Sequence, residues 1–184
     1  MQKSVGLFLS SIADVSPTFL EEAEQLGSEL ARAGYSVVYG GSNEGCMGRL
    51  AKGVLSERGQ LIGVVPELDF VEGIVQEGMA EKILVPDLSH RKCRMIERSD
   101  AFLVYPGGLG TLDEISDVLA QRQIRAHNKP IVFYNYLDYW SPFIECLETF
   151  YQQRMISTPV HDLFRVFDQP TDVIDYLNQC FQNC

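Results

Sequence analysis

Short apolar runs rich in β-branched and aromatic residues alternate along the chain with longer stretches whose apolar positions recur every three to four residues. The short runs, at 5–9, 35–39, 61–65, 82–85, 101–105 and 131–134, read as buried strands, with a further one at 163–167. Between the first two, Phe19, Ala23, Leu26 and Leu30 form one stripe, while Glu21, Glu22, Glu24 and Glu29 occupy the other positions. That pattern predicts an amphipathic helix opening at Ser16-Pro17 and closing at Gly34. Further helices are predicted over 46–56, 90–98, 112–125, 141–154 and 171–180.

Strands alternating with helices in this way predict an α/β fold, a Rossmann-like doubly wound parallel sheet, formed as one domain over residues 1–184. No linker and no internal repeat interrupts it. In such sheets the ligand crevice lies beyond the carboxyl ends of the strands, so the informative residues are those that follow strands. Lys3 precedes the apolar run 5–9, but the run is too short for a signal-peptide core and Asp14 follows without a small-residue cleavage site; it reads as the first strand. No apolar run approaches the roughly 20 residues of a membrane-spanning helix, and no membrane partner is expected.

Charge narrows the partners. The 184 residues carry 15 basic and 25 acidic side chains, a formal charge of −10. The carboxylates are scattered, which makes nucleic acid a poor partner and leaves a small anion held by one local site. The five cysteines form no CxxC pair, and His90, His127 and His161 lie far apart with no HExxH pattern. A disulfide framework, a zinc cage and a metal site are therefore not expected, and a reducing cytoplasm is the expected compartment.

Three segments carry candidate chemistry. Gly40-Gly41-Ser42-Asn43-Glu44-Gly45-Cys46-Met47-Gly48 follows the second strand and can bring backbone N–H groups close to a phosphate. It is not a Walker A loop, because Cys46 stands where lysine is required. Tyr105-Pro106-Gly107-Gly108-Leu109-Gly110-Thr111-Leu112-Asp113-Glu114 again joins strand to helix; Asp113 replaces the third glycine of a dinucleotide fingerprint, leaving an anion cradle at a helix N-terminus. Within it, Thr111-x-x-Glu114 is equally a capping box, in which the glutamate serves the helix alone. Ser89-His90-Arg91-Lys92-Cys93-Arg94-Met95 spaces Arg91, Arg94 and Arg98 so that they can share one helix face, as an anion site or as a solvated face paired with carboxylates.

Taken together, Arg91-Lys92-x-x-Met95-x-x-x-Ser99-Asp100-Ala101-Phe102 leading into Pro106-Gly107-Gly108-x-Gly110-Thr111-x-x-Glu114 resembles the LOG family. These are the cytokinin-activating phosphoribohydrolases once labelled lysine decarboxylases. The resemblance runs from the first strand through Gly40-Gly41 and Gly45-x-Met47-Gly48 to the strand at Ile131. It implies that Arg91 and Glu114, 23 positions apart, are catalytic. It also implies that Gly107, Gly108, Gly110 and Thr111 hold a nucleotide 5′-phosphate, with Ser10, Gly41, Gly45, Met47 and Lys92 as further substrate contacts. Glu72 lies about where the family places another substrate-contacting acid. Near the first strand the family commonly reads cysteine-glycine-serine, where this chain has Leu9-Ser10-Ser11.

The implied activity is hydrolysis of the N-glycosidic bond of a purine nucleoside 5′-monophosphate, AMP or an N6-modified relative, to free base and ribose 5-phosphate, with no cofactor. The implied assembly is a homodimer; Tyr136, Tyr139, Trp140 and Phe143 offer either a contact surface or core packing. The rival is a non-catalytic nucleotide or molybdenum-cofactor carrier, since such carriers resemble this fold and share a similar glycine-rich loop. The old decarboxylase label predicts pyridoxal phosphate on a lysine, and Lys92 is the one lysine within a motif.

Overall fold

A computed structural model describes residues 2–71 and 73–182 of the chain. Its strands are β1 (Ser4–Phe8), β2 (Ser36–Tyr39), β3 (Leu61–Pro66), β4 (Glu81–Val85), β5 (Ala101–Val104), β6 (Ile131–Tyr134) and β7 (Arg165–Phe167). Its helices are α1 (Pro17–Arg32), α2 (Gly45–Ser56), α3 (Leu88–Arg98), α4 (Leu109–Gln123), α5 (Ser141–Gln152), a single turn α6 (Val160–Leu163) and α7 (Pro170–Gln182). The strands form one seven-stranded sheet in the order β4-β3-β2-β1-β5-β6-β7, and every neighbouring pair is parallel. This is the Rossmann-like α/β architecture that the alternation predicts.

Strand alternation divides the core into two layers. Val5, Leu7, Val37, Tyr39, Leu103, Tyr105 and Tyr134 point to one face and pack with Ala23, Leu26 and Leu30 of α1, Leu50 of α2 and Leu177 of α7. Phe8, Val38, Phe102, Val104 and Phe133 point to the other, against Met95 of α3, Ile115 and Val118 of α4 and Leu147 of α5. Both faces are covered, which is why the central strands read as continuous apolar runs. The chain steps outward from β1 to β4 and then returns to β5 on the other side of β1. The strand order reverses there, so the crevice opens between the loops after β1 and β5.

Two tyrosines at strand ends fasten α1 across that crevice. The Tyr105 hydroxyl donates to the Phe19 carbonyl at 2.7 Å, and the Tyr134 hydroxyl donates to Glu22 Oε1 at 2.5 Å. Among its described residues, the link between β3 and β4 contains a 3-10 turn, Asp69–Val71, and it lies against the loop after β2 through a bridge of Ser42 with Val75.

Three expectations need correction. The run at 163–167 is a strand only over Arg165–Phe167, because residues 160–163 wind into α6 and bury Val160 and Leu163. Helix α3 opens at Leu88, two residues earlier than its periodicity predicts, since Asp87 Oδ1 accepts from the His90 N–H at 2.9 Å. Helix α4 opens at Leu109, with Gly108 as its cap. Of the two roles open to Tyr136, Tyr139, Trp140 and Phe143, core packing holds for three: Trp140 is buried against Phe133, and Tyr136 and Phe143 pack on the core, while Tyr139 stays exposed.

Candidate active site

The loops that follow β1 and β5 meet the N-termini of α2 and α4 around a cavity of about 350 Å³. Leu9, Ser10, Ser11 and Ile12 supply one wall, Gly108 to Thr111 a second, and Met47, Arg91 and Glu114 the rest. Helix α2 is held against the β1 loop by the Met47 N–H, which donates to the Ser10 carbonyl at 3.0 Å. Such an approach needs a glycine at position 45, where φ is +56° and a Cβ would stand 2.4 Å from the Ile12 carbonyl oxygen. Gly45→Ala is expected to lower stability by about 1–3 kcal/mol and to open the cavity, read as an earlier urea midpoint with weaker nucleotide binding.

Ser10 stands where the family resemblance calls for glycine, and the fold accommodates it. Its hydroxyl turns back to accept from the Ile12 N–H at 3.1 Å, while its carbonyl faces Met47. The serine side chain thereby closes a local turn and still borders the cavity.

Glu114 is 2% exposed and Arg91 17%, and Arg91 Nη2 donates to Glu114 Oε1 at 2.8 Å. Burial pushes the Glu114 carboxyl up to about 7, against the opposing pull of the Arg91 guanidinium. One ion pair further out, Lys92 Nζ meets Asp113 Oδ1 at 2.7 Å, and the two pairs lock α3 to α4 side by side. Arg91 Nε is also buried and has no hydrogen-bond partner among the described residues. The site therefore holds a carboxyl that titrates near neutrality, paired with a guanidinium.

The capping-box reading of Glu114 fails on the geometry. Helix α4 starts at Leu109, so Thr111 lies inside its first turn and Glu114 one turn further on, both buried and neither acting as the cap. The N–H groups of that first turn have no carbonyl of the preceding turn to bond, and they face the cavity at the positive end of the helix dipole. Gly107 packs so tightly on Thr111 that a Cβ would sit 2.1 Å from its hydroxyl oxygen, which fixes the bend into the helix.

The arginine cluster does not converge. Arg94 pairs with Glu97 at 2.8 Å on the exposed face and Arg98 pairs with Glu81, leaving Arg91 alone in the cavity. Of the other residues predicted from sequence, Ser10, Met47, Gly108, Gly110 and Thr111 line the cavity together with Arg91 and Glu114. Gly107 borders an adjoining hollow of about 270 Å³ lined by Val15, Phe19, Cys46 and Tyr139, with Ser10, Ile12 and Gly108 common to both. Gly41 lies behind the cavity against Val65, Gly45 borders an outer hollow with Asn43 and Arg49, and Lys92 reaches the cavity only through its neighbours. Glu72 lies outside the described residues. Ser11, Ile12, Leu109 and Tyr139 were not predicted as site residues; Leu109 and Ile12 carry no polar group for sequence reasoning to seize on.

The profile of a family described as possible lysine decarboxylase matches residues 47–177. A cytokinin riboside 5′-monophosphate phosphoribohydrolase of Rhodococcoides fascians is 35% identical over 147 residues, covering 79% of this chain and 74% of its own. This chain belongs to the LOG family. A second LOG-family relative, a cytokinin riboside 5′-monophosphate phosphoribohydrolase of Arabidopsis thaliana, is 32% identical over 155 residues, 84% of this chain and 73% of its own. The solved structure of the molybdenum-cofactor carrier protein of Chlamydomonas reinhardtii shares the LOG fold with a TM-score of 0.76, 21% identity and full coverage of both chains.

The family description raises pyridoxal phosphate, and the residues of this LOG-family site do not fit it. No lysine lines either cavity, and Asp113 holds the Lys92 ammonium in its charged form, the opposite of what an imine-forming amine requires. Among the described residues, no three His, Cys, Asp or Glu side chains converge as a metal site, and no helix is long and apolar enough to cross a membrane.

Proposed function

We propose that the protein hydrolyses the N-glycosidic bond of a purine nucleoside 5′-monophosphate, AMP or an N6-modified relative, releasing free base and ribose 5-phosphate. The observation that carries this reading is the buried Glu114–Arg91 pair beside the free N-terminus of α4. The 5′-phosphate binds the first-turn N–H groups of α4 and the Thr111 hydroxyl, where the dipole favours negative charge. Glu114 faces the sugar. As the bond from C1′ to the base nitrogen breaks, its electron pair leaves with the base and positive charge develops on the ribose, which the carboxylate stabilises. Water then adds its oxygen to C1′, and its proton balances the one taken up by the base. Arg91 orients the substrate and keeps Glu114 partly ionised at neutral pH. The same reading takes the protein as a homodimer.

A carrier would bind the nucleotide unchanged and would have no use for a desolvated carboxyl at the cavity wall. The paired carboxyl therefore favours the hydrolase, and turnover decides. Because the phosphate-binding energy positions the sugar, AMP is expected to react on the order of a thousandfold faster than adenosine in kcat/KM. Ribose release measured with both substrates checks this; equal rates would remove the phosphate from the α4 N-terminus.

A further inference from the structure

The segment between β6 and α5 is strained and braced in a way the chemistry above does not require. Leu137 and Asp138 are consecutive non-glycine residues with φ of +53° and +58°, a conformation that side chains disfavour and that persists only where surroundings impose it. The imposing residue is Asn135, which is buried. Its side chain accepts from the Trp140 N–H at 2.7 Å and donates to Ser141 Oγ at 3.1 Å. The result is to deliver Tyr139 to the loop after β5, where its hydroxyl donates to the Gly107 carbonyl at 2.7 Å, 32 residues away in sequence.

That contact has a geometric consequence. The chain has no cis peptide among the described residues, and the C=O and N–H of one planar trans peptide point in opposite directions. With the Gly107 carbonyl taken by Tyr139, the N–H of Gly108 is turned away from Tyr139. Gly108 borders both cavities, as Ser10 and Ile12 do, and its N–H donates to no protein acceptor among the described residues. The Tyr139 ring, 42% exposed, meets Phe19 edge-on at 5.7 Å and Trp140 at 5.2 Å, contacts that set the direction of its hydroxyl.

Resting on the phosphate-binding reading of the α4 N-terminus, we propose that Tyr139 is a positioning residue for anion binding: by holding the Gly107 carbonyl it orients the Gly108 N–H toward the ligand phosphate. The strained turn at Leu137–Asp138 is the device that aims it. Tyr139→Phe keeps the ring contacts and removes only the hydrogen bond.

The test is calorimetric titration of parent and Tyr139→Phe with AMP, with inorganic phosphate and with adenosine, alongside thermal melting. The expected result is affinity for AMP and for inorganic phosphate weakened by about three- to tenfold, the worth of one oriented hydrogen bond, with adenosine affinity unchanged and melting lowered by no more than about 2–4 °C. In turnover, KM for AMP rises by the same factor while kcat holds. Unchanged AMP and phosphate affinities would overturn the proposal, and so would equal losses for AMP and adenosine, which mark a general loosening of the pocket. The binding arm does not depend on hydrolysis, so a parent that binds AMP without cleaving it would contradict the proposed function and leave the Tyr139 assignment to be judged on affinity.

Discussion

Glu114→Gln lowers kcat for AMP by on the order of a hundred- to a thousandfold, as loss of a charge aimed at a developing transition state does. Glutamine keeps the shape and still offers an amide oxygen to Arg91 Nη2, so nucleotide binding survives. Stability moves the other way. A carboxyl at about 7 in the folded protein and near 4.5 when unfolded means that the folded state holds an extra proton between those values. Stability from this group is therefore present at low pH and declines as pH rises from about 4.5 to about 7, by about 3 kcal/mol in all. The glutamine variant lacks that decline, so it melts near the parent at pH 5 and above it at pH 8. In kinetics, the parent kcat/KM falls about tenfold for each pH unit below about 7, as the ionised form is lost. Urea melts across that range check the first, and initial rates of ribose release check the second.

What the chain revealed of all this depended on how local each signal was. Six strands and the amphipathic helices were legible because burial on both faces writes itself as apolar runs and three-to-four spacing. The start of α4 was not, because Gly108-Leu109-Gly110 reads as loop; a helical first turn can hold glycines there since its N–H groups seek a ligand rather than a preceding carbonyl. Arg91 and Glu114 were identifiable through the family motif, whereas the three- and four-residue spacing of Arg91, Arg94 and Arg98 by itself treats the three arginines alike. Only the packing of α3 on α4 turns one arginine inward and leaves the others to Glu97 and Glu81. Tyr139 was invisible as a site residue, since its partner is a backbone carbonyl across two strands, and a backbone carbonyl has no residue-type signature.

Arg91→Ala removes the cation that opposes burial at Glu114, and its effect reaches both steps. Without that guanidinium the carboxyl moves above about 7 and is protonated at neutral pH. Turnover at pH 7 falls by on the order of a hundredfold or more, and AMP affinity weakens as well because the cavity loses the Arg91 guanidinium. The alkaline limb distinguishes this from simple loss of a contact: activity of Arg91→Ala climbs with pH beyond the point where the parent has levelled off. A pH–rate profile of the variant that parallels the parent at a lower level would mean that Arg91 does not control the ionisation of Glu114.

If this buried pair cleaves a glycosidic bond and does not merely hold a nucleotide, AMP is consumed at the bond between base and sugar. Proton and phosphorus NMR of AMP incubated with the protein tests it most directly, because base, sugar and phosphate are followed in one sample. Adenine and ribose 5-phosphate are expected in equal amounts, with Glu114→Gln slower by on the order of a hundredfold or more. AMP that stays intact while bound, or adenosine appearing with free phosphate, would contradict it.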